Sequence, residues 1–146
     1  MKTPKRPDAS PVILAFEAST NQLSVAVYAD GMVRAMKMAE ADYGQAASLV
    51  PLAVSALAEA DVDFAMISHV AAGRGPGSFT GLRVSLAAAK GVCLAHDLPG
   101  LGSSGLEALA YSCGDDDGDL PILCLADTRR VNVYAQFLKN KTLSLK

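Results

Sequence analysis

The sequence predicts an α/β fold in which a mixed β-sheet is flanked by helices, and three observations lead to this prediction. Short apolar runs separated by turn residues open the chain, which is typical of consecutive antiparallel strands. From residue 45 onward, helix-like and strand-like segments alternate, as they do where helices cover a sheet. Apolar residues make up 51% and charged residues 19% of the chain, a composition that indicates a globular protein rather than a disordered one.

The opening strands are predicted at residues 12–16, 23–29 and 32–38. Asp30-Gly31 lies between the second and third of these strands. This dipeptide favours a two-residue hairpin because both of its residues tolerate a positive φ. We therefore expect three antiparallel strands at the start of the chain.

A helix is predicted over residues 45–60 because apolar residues recur there at intervals of three and four. The residues with this spacing are Leu49, Leu52, Ala53, Ala56, Leu57 and Ala60. Pro51 lies inside the segment and has no N–H to donate, so we expect a kink or an irregular first turn.

Two further strand–helix units follow this helix. The first has a buried strand at 65–72 and a helix that runs from Phe79 or Thr80 to about residue 95. The second has a short strand at 98–102 and a helix that Ser103 or Ser104 caps and that ends at Ser112. The predicted order is therefore βββαβαβα over a first lobe at 12–113.

The remaining segments are predicted to be a disordered tail at 1–11, an acidic linker at 114–119 and the incomplete start of a second lobe at 120–146. This last segment contains strand-like runs at 120–126 and 131–138, and a third at 142–145. Since no predicted helix covers these strands, we expect them to be poorly protected, to exchange with a second chain, or to dock on the first lobe.

Charge and cysteine content exclude several classes of protein. A net charge of −2 does not favour direct binding to nucleic acid, which usually needs clustered Lys and Arg. The three cysteines, Cys93, Cys113 and Cys124, form no CxxC motif and are predicted to be reduced thiols. The start of the chain is not typical of a signal peptide, and no apolar run is long enough to span a membrane. We therefore expect a cytoplasmic protein that does not bind membranes.

The most distinctive segment is GRGPGSFTGLR at 73–83. Glycines next to a helix start can expose backbone N–H groups to an anion, and two arginines add positive charge. The candidate residues of a nucleotide or anion loop are Arg74, Gly75, Gly77, Ser78, Thr80 and Arg83. The alternative interpretation is a tight strand-to-helix turn that needs its glycines only for close packing.

As a complete string, GRGPGSFTGLR resembles the signature of the TsaB (YeaZ) family. The segments ILAFEASTNQLSVAVYADG, QAASLVPLAVSAL, PGLGSSGLEALA and LADTRRVNVYAQF fall in the family's order, so the resemblance covers residues 12–138. The chain departs from the family's pattern at Glu17-Ala18, where an Asp-Thr pair is usual, and at Asn132, where Glu is usual. It is also shorter than family members usually are, which implies a truncated second lobe.

This resemblance implies an actin-like fold of the sugar kinase and heat-shock chaperone ATPase type. It implies a scaffold subunit that works with its paralogue TsaD and the ATPase TsaE to transfer threonylcarbamoyl to adenosine 37 of tRNA. The chain would contact tRNA only through that complex. No catalytic residue, no metal site and no firmly bound cofactor are expected in this chain. The resemblance leaves open a site for ATP or ADP at the junction with the partner subunit.

The resemblance also implies that the first two helices form the surface that contacts the partner. The residues predicted for that surface are Leu49, Leu52, Ala53, Ala56, Leu57, Val84, Ala87, Ala88 and Gly91. We expect two copies of the chain to pair through the same surface when TsaD is absent.

Two other functions use the same fold and stay open as alternatives. They are a small-molecule phosphotransferase and a peptidase-like protein. Against phosphoryl transfer, Glu17 and Ser19 occupy the places where active members of the fold have an Asp and a Gly. Against a metal centre or a peptidase, Gly105 and Leu109 replace the histidines of the catalytic paralogue, and no sequence feature links a serine to His69 or His96.

Overall fold

The computed structural model describes residues 10–40, 45–113, 121–128 and 131–138. Its strands are β1 (Ile13–Glu17), β2 (Gln22–Ala29), β3 (Met32–Glu40), β4 (His69–Gly73), β5 (Gly100–Ser103), β6 (Ile122–Asp127) and β7 (Val133–Leu138). Its helices are α1 (Gln45–Ala60), α2 (Phe79–His96) and α3 (Gly105–Ser112). The order of elements over the first lobe is the predicted one.

Five strands form a mixed sheet in the order β3-β2-β1-β4-β5. The strands β1, β2 and β3 pair antiparallel, whereas β4 pairs parallel to both β1 and β5. Asp30 and Gly31, with φ of 54° and 81°, form the predicted turn between β2 and β3. The prediction of a mixed sheet flanked by helices is therefore confirmed.

One face of this sheet forms the core under α1 and α2. Leu14 and Phe16 of β1 and alternate residues of β2 point to this face, as the period of two residues along a strand requires. The helix α1 packs on β2 and β3, and α2 packs on β1 and β4. Both helices therefore lie on the same side of the sheet.

The apolar stripe of α1 faces the sheet rather than solvent. Leu49, Ala53, Ala56 and Leu57 are at most 3% exposed and belong to the core. Our expectation that this stripe forms a free partner surface is wrong for these four residues. The physical reason is that α1 needs the stripe to cover β2 and β3, and a residue inside the core cannot also contact another protein.

One local prediction needs a smaller correction, and the place of Pro51 in α1 has a physical explanation. The strand predicted at 65–72 begins only at His69, because Phe64–Met66 form a 3₁₀ turn that brings the chain from α1 to the sheet. The helix α1 continues through Pro51. Proline removes one N–H from the helix, and the carbonyl group that loses this partner belongs to Ala47, which is exposed and therefore accessible to water.

The strands β6 and β7 form a separate antiparallel hairpin that docks on α3. A small cluster of Leu106, Ala110 and Cys124 joins the hairpin to the helix. Of the three arrangements expected for this segment, the structure has the docked one. The opposite face of the hairpin is apolar and exposed, and its largest side chains are Leu123, Leu125 and Phe137.

The tail at 1–9, the linker at 114–119 and the strand predicted at 142–145 lie outside the described residues. The proposed division into lobes at these points stays a prediction. Within the described residues, no helix has both the length and the apolar character needed to cross a bilayer.

Candidate functional site

The glycine-rich loop between β4 and α2 packs directly on the turn after β1. A Cβ atom built on Gly77 would lie 2.3 Å from the carbonyl oxygen of Ser19, and one built on Gly81 would lie 1.8 Å from that of Ala18. Neither distance leaves room for a side chain. These two glycines are therefore explained by close packing between backbones, as the alternative interpretation of the motif required.

Two backbone N–H groups at the end of this loop are used inside the chain. Ser78 donates its N–H to the carbonyl oxygen of Ser19 at 2.7 Å. The Ser78 hydroxyl caps α2 by accepting the Gly81 N–H at 3.3 Å. Helix N-termini bind anions through free N–H groups, and these two are already satisfied.

The two arginines of the motif have partners of their own. Arg74 forms an ion pair with Glu107 of α3 at 3.7 Å, and the guanidinium of Arg83 lies 4.0 Å from the centre of the Phe79 ring. Thr80 is exposed on the first turn of α2. Arg74 thus contacts α3 and Arg83 contacts the Phe79 ring on α2, so both arginines already have a partner within the chain. The motif's role as a nucleotide or anion loop stays a prediction.

Glu17, at the end of β1, is the residue that most changes this site, and sequence analysis noted only that it replaces an Asp. Its carboxylate accepts the N–H of Ser19. The same carboxylate lies against Gly73, where an added Cβ would be 1.7 Å from Oε2. The space beside the loop is thus occupied by the Glu17 carboxylate, which is negatively charged and already accepts a hydrogen bond from the backbone N–H of Ser19.

A phosphate group does not fit these residues. It would face the Glu17 carboxylate at close range, and like charges repel strongly where water is partly excluded. Three nearby backbone donors, on Ser19, Ser78 and Gly81, are already engaged. A nucleotide held at this place would need cations from another molecule to offset the charge of Glu17.

A cavity of about 220 Å³ lies beside Glu17, between the open face of the sheet and the start of α3. Alanine is the most frequent residue of its lining, with Ala15, Ala26, Ala71 and Ala108 among the residues that contribute. Sequence analysis missed this cavity. It depends on which residues of β1, β2 and β4 face away from α1 and α2, and therefore on the strand order.

The only contact between a serine and a histidine in the described part of the chain joins Ser68 and His69. The Ser68 hydroxyl accepts the Val12 N–H, approaches the Val12 carbonyl oxygen at 3.0 Å and lies 2.9 Å from Nδ1 of His69. When Nδ1 of His69 donates to it, the Ser68 hydroxyl donates one hydrogen bond and accepts two, so its hydrogen-bonding capacity is fully used. The hydroxyl thereby joins the start of β1 to β4. His69 is therefore a partly buried side chain whose Nδ1 has a hydrogen-bond partner.

The outer side of α1 and α2 carries apolar residues that the sequence prediction only partly named. Val50 and Val54 of α1 and Leu94 of α2 are more than half exposed. Of the predicted residues, Ala87 and Gly91 are exposed, whereas Leu52, Val84 and Ala88 are half-buried and pack against the core. The available surface is therefore shifted from the predicted stripe to Val50, Val54, Ala87, Gly91 and Leu94, which we call the outer helix face.

Within the described residues, no group of three His, Cys, Asp or Glu side chains is placed to hold a metal ion. Gly105 lies at the first turn of α3, where its N–H donates to the carbonyl oxygen of Gly75 at 2.9 Å. Leu109 is exposed on the same helix. The place where the resemblance puts the paralogue's histidine pair thus serves here to join α3 to the glycine loop.

Comparison with known proteins gives consistent matches. The family model described as TsaD, tRNA N6-adenosine threonylcarbamoyltransferase, matches residues 39–143. The tRNA threonylcarbamoyladenosine biosynthesis protein TsaB of Escherichia coli K12 is 33% identical over 123 residues, which are 84% of this chain and 52% of that protein. The protein of the same name from Bacillus subtilis is 30% identical over 130 residues, which are 88% of this chain and 56% of that protein.

The structure of YeaZ from Pseudomonas aeruginosa is also similar, with a TM-score of 0.77 and 29% sequence identity over 89% of this chain and 61% of that one. This chain therefore spans between half and two thirds of the length of these relatives. With a family model that matches most of the chain and with these relatives, the chain belongs to the TsaB (YeaZ) family of actin-like proteins.

Proposed function

We propose that this chain is a non-catalytic partner subunit in the synthesis of threonylcarbamoyladenosine in tRNA. In this role it works with the catalytic paralogue TsaD and the ATPase TsaE to modify adenosine 37. The names of the relatives supply the pathway. The single observation that carries the role of a partner is the apolar outer helix face, because large exposed apolar patches usually mark interfaces.

The residues at the loop support the non-catalytic part of the proposal. Glu17 directs its carboxylate to Gly73 and Ser19, where a nucleotide-hydrolysing member of the fold needs room for phosphate and metal-bound water. ATP or ADP at the junction with the partner subunit stays a prediction, and so does a cytoplasmic location.

The outer helix face has the features of a helix-to-helix interface. Among the described residues, no atom outside the local helix backbone lies within 4 Å of where a Cβ of Gly91 would be, so a larger residue there has room. Ala87 and Gly91 are one turn apart, and small residues at this spacing allow another helix to approach closely. Val50, Val54 and Leu94 supply apolar area around them.

The test is reconstitution with the TsaD and TsaE proteins and an unmodified tRNA from the same organism. We expect modified adenosine only when this chain is present, and we expect no ATP turnover by the chain alone. ATP hydrolysis by the pure chain would favour the phosphotransferase alternative. Full modification without the chain would contradict the proposal.

Gly91→Arg tests the surface itself. An arginine at a close helix contact leaves a charge without a partner, which costs about 3 kcal/mol or roughly a hundredfold in Kd for TsaD. Binding is measured by calorimetry, and circular dichroism verifies the fold. Ala135→Arg, an exposed small residue on β7, is the matched control and should bind TsaD normally. Unchanged binding by Gly91→Arg would remove α2 from the interface.

Self-association follows from the same surface. With TsaD absent, we expect two copies to pair through the outer helix face, and Gly91→Arg to abolish this pairing. Ala88→Arg is not a useful test because Ala88 packs against the core and the substitution would disturb the fold. Light scattering that finds a strict monomer at high micromolar concentration would contradict this expectation.

A further inference from the structure

The cavity beside Glu17 has the composition of a binding site that none of the functions above uses. It lies on the side of the sheet opposite to α1 and α2, and α3 forms one of its walls through Ala108. Ala15, Ala26 and Ala71 contribute apolar lining from three neighbouring strands. An apolar cavity of about 150 Å³ can hold benzene. A cavity of about 220 Å³ therefore has room for a benzene-sized body and one small polar group.

The charged group at this cavity is the Glu17 carboxylate. Among the described residues, no Lys, Arg or His side chain forms an ion pair with Glu17. The nearest arginine in sequence to Gly73, Arg74, is paired with Glu107 instead. A half-buried carboxylate is stabilised by a second donor, and a charged donor is the most favourable one.

The carboxylate still has free acceptor capacity. Its Oε1 accepts the Ser19 N–H, and its Oε2 lies beside Gly73, which also lines the cavity. An ionised carboxylate offers about four lone-pair positions, and one backbone N–H uses only one of them. A donor that enters the cavity can therefore reach Glu17 without displacing a contact of the chain.

Two of the three serine hydroxyls at the cavity have acceptors inside the chain. The hydroxyl of Ser103 lies at 3.5 Å from the carbonyl oxygen of Ser104, and that of Ser104 at 3.5 Å from Oε1 of Gln136. Both hydroxyls are therefore directed to acceptors of the chain. Glu17 is the only charged side chain among the described residues that line the cavity.

We propose that this cavity binds small primary amines that carry an apolar body of about benzene size, with the ammonium group on Glu17. The apolar body displaces water from the alanine lining. The ammonium group donates to the carboxylate. This selectivity for cations is the opposite of what a phosphate cradle at the same place would show.

Three probes of equal size separate charge from shape: benzylamine, benzyl alcohol and benzoate. We expect benzylamine to bind about tenfold more tightly than benzyl alcohol, since a charge-assisted hydrogen bond contributes that much, and benzoate not to bind. Titration of the ¹⁵N-labelled chain should place the shift changes at Gly73 and Gly105. Equal binding of benzylamine and benzyl alcohol, any binding of benzoate, or shifts scattered over the surface would overturn the proposal.

Glu17→Gln is the decisive variant because Gln keeps the shape and the acceptor for Ser19. We expect it to bind benzylamine and benzyl alcohol equally. Glu59→Gln removes one carboxylate from α1, on the other side of the sheet where it pairs with Lys37, and should keep the preference for the amine. A Glu17→Gln variant that still prefers benzylamine would refute the role of Glu17.

Gly73→Ala gives a second route if Glu17→Gln does not fold. The added methyl group takes the space of Oε2, and the end of a flexible side chain can move aside. We expect the preference for the amine to fall at least severalfold while the apolar lining stays intact. If the preference is unchanged, the ammonium does not bind where we place it.

Discussion

The five-stranded sheet and the β6–β7 hairpin both pack against helices, but they differ greatly in how much they bury. Among the described residues, the core under α1 and α2 joins seventeen buried apolar residues, whereas the cluster between α3 and the hairpin joins three. The outward face of the hairpin leaves Phe137 72% exposed. The comparison indicates that the sheet is stable on its own, while the hairpin depends on a single short helix.

The largest expected effect is in the core of the sheet. Leu14 is fully buried in β1, so Leu14→Ala removes apolar contact and leaves a cavity that costs about 3–4 kcal/mol of unfolding free energy. Urea unfolding followed by circular dichroism measures this loss. The neighbouring Ile13 is only half-buried on the opposite face, and Ile13→Ala should cost about 1 kcal/mol. Equal losses for the two variants would contradict the assignment of the core face.

A smaller and local effect is expected at the hairpin. Leu106 of α3 is buried against β6 and β7. Leu106→Ala should lower the free energy of hairpin opening by about 2 kcal/mol, at the lower end for buried leucines because so small a cluster can relax. Native-state hydrogen exchange should become faster in β6 and β7 and stay unchanged in β1.

The control for this variant is Leu109→Ala, on the exposed side of the same helix, which should change hydrogen exchange little. If Leu106→Ala speeds exchange in β1 and β6 equally, the sheet and the hairpin unfold as one unit, and the comparison fails.

Cys124 offers a chemical probe of the same opening. Burial raises the pKa of its thiol, and the neighbouring Cys113 raises it further. Only the thiolate reacts with alkylating reagents. We expect Cys124 to be modified about a hundredfold more slowly than the exposed Cys113 at neutral pH, which corresponds to opening by about 3 kcal/mol. Mass spectrometry of the alkylated chain measures both rates.

The pH dependence of this probe has a definite sign. Since the folded state raises the pKa of Cys124, docking favours the protonated thiol. That contribution is present below the unfolded pKa near 9.0 and is lost as the pH rises through the folded pKa. Hairpin opening should therefore become easier in alkaline solution. Equal rates for Cys113 and Cys124 at neutral pH would mean that the hairpin is not docked in solution.

The smallest effect is expected on the exposed face of the hairpin. Phe137→Lys should change the unfolding free energy by less than about 0.5 kcal/mol, because the ring already contacts water. Leu138→Lys, one residue further and facing α3, should release the hairpin instead. Proteolysis of the two variants can distinguish them. If both variants are cleaved equally fast, our assignment of the Leu138 face to α3 and of the Phe137 face to solvent is wrong.

Local rules predicted much of this fold. Apolar spacing located α1, the end of the glycine loop located the start of α2, and Asp30-Gly31 located the first hairpin. Ser104 begins α3 as expected, with its N–H donated to the Glu107 carboxylate at 3.2 Å. These features depend on neighbours within a few residues, which is the range over which a sequence pattern acts.

Features that depend on distant contacts could not be predicted in this way. The apolar stripe of α1 was equally compatible with a partner and with the sheet, and only the position of β2 and β3 decides between them. Gly77 and Gly81 look like an anion loop until the turn at Ala18 and Ser19 is placed against them. The contact between Glu17 and Gly73 joins residues 56 positions apart and has no local signal.

The parallel pairing of β1 with β4 sets the order in which the chain can assemble as it is made. The strands β1, β2 and β3 are consecutive and can pair within microseconds once residue 40 has been synthesised. The central position of β1 leaves one of its edges open until β4 arrives, and the Ser68 hydroxyl then bonds to Val12 across 56 residues. A nascent chain that stops before residue 73 therefore exposes an unpaired edge of this central strand. Such an edge can pair with other chains, so a chaperone is most useful during this interval.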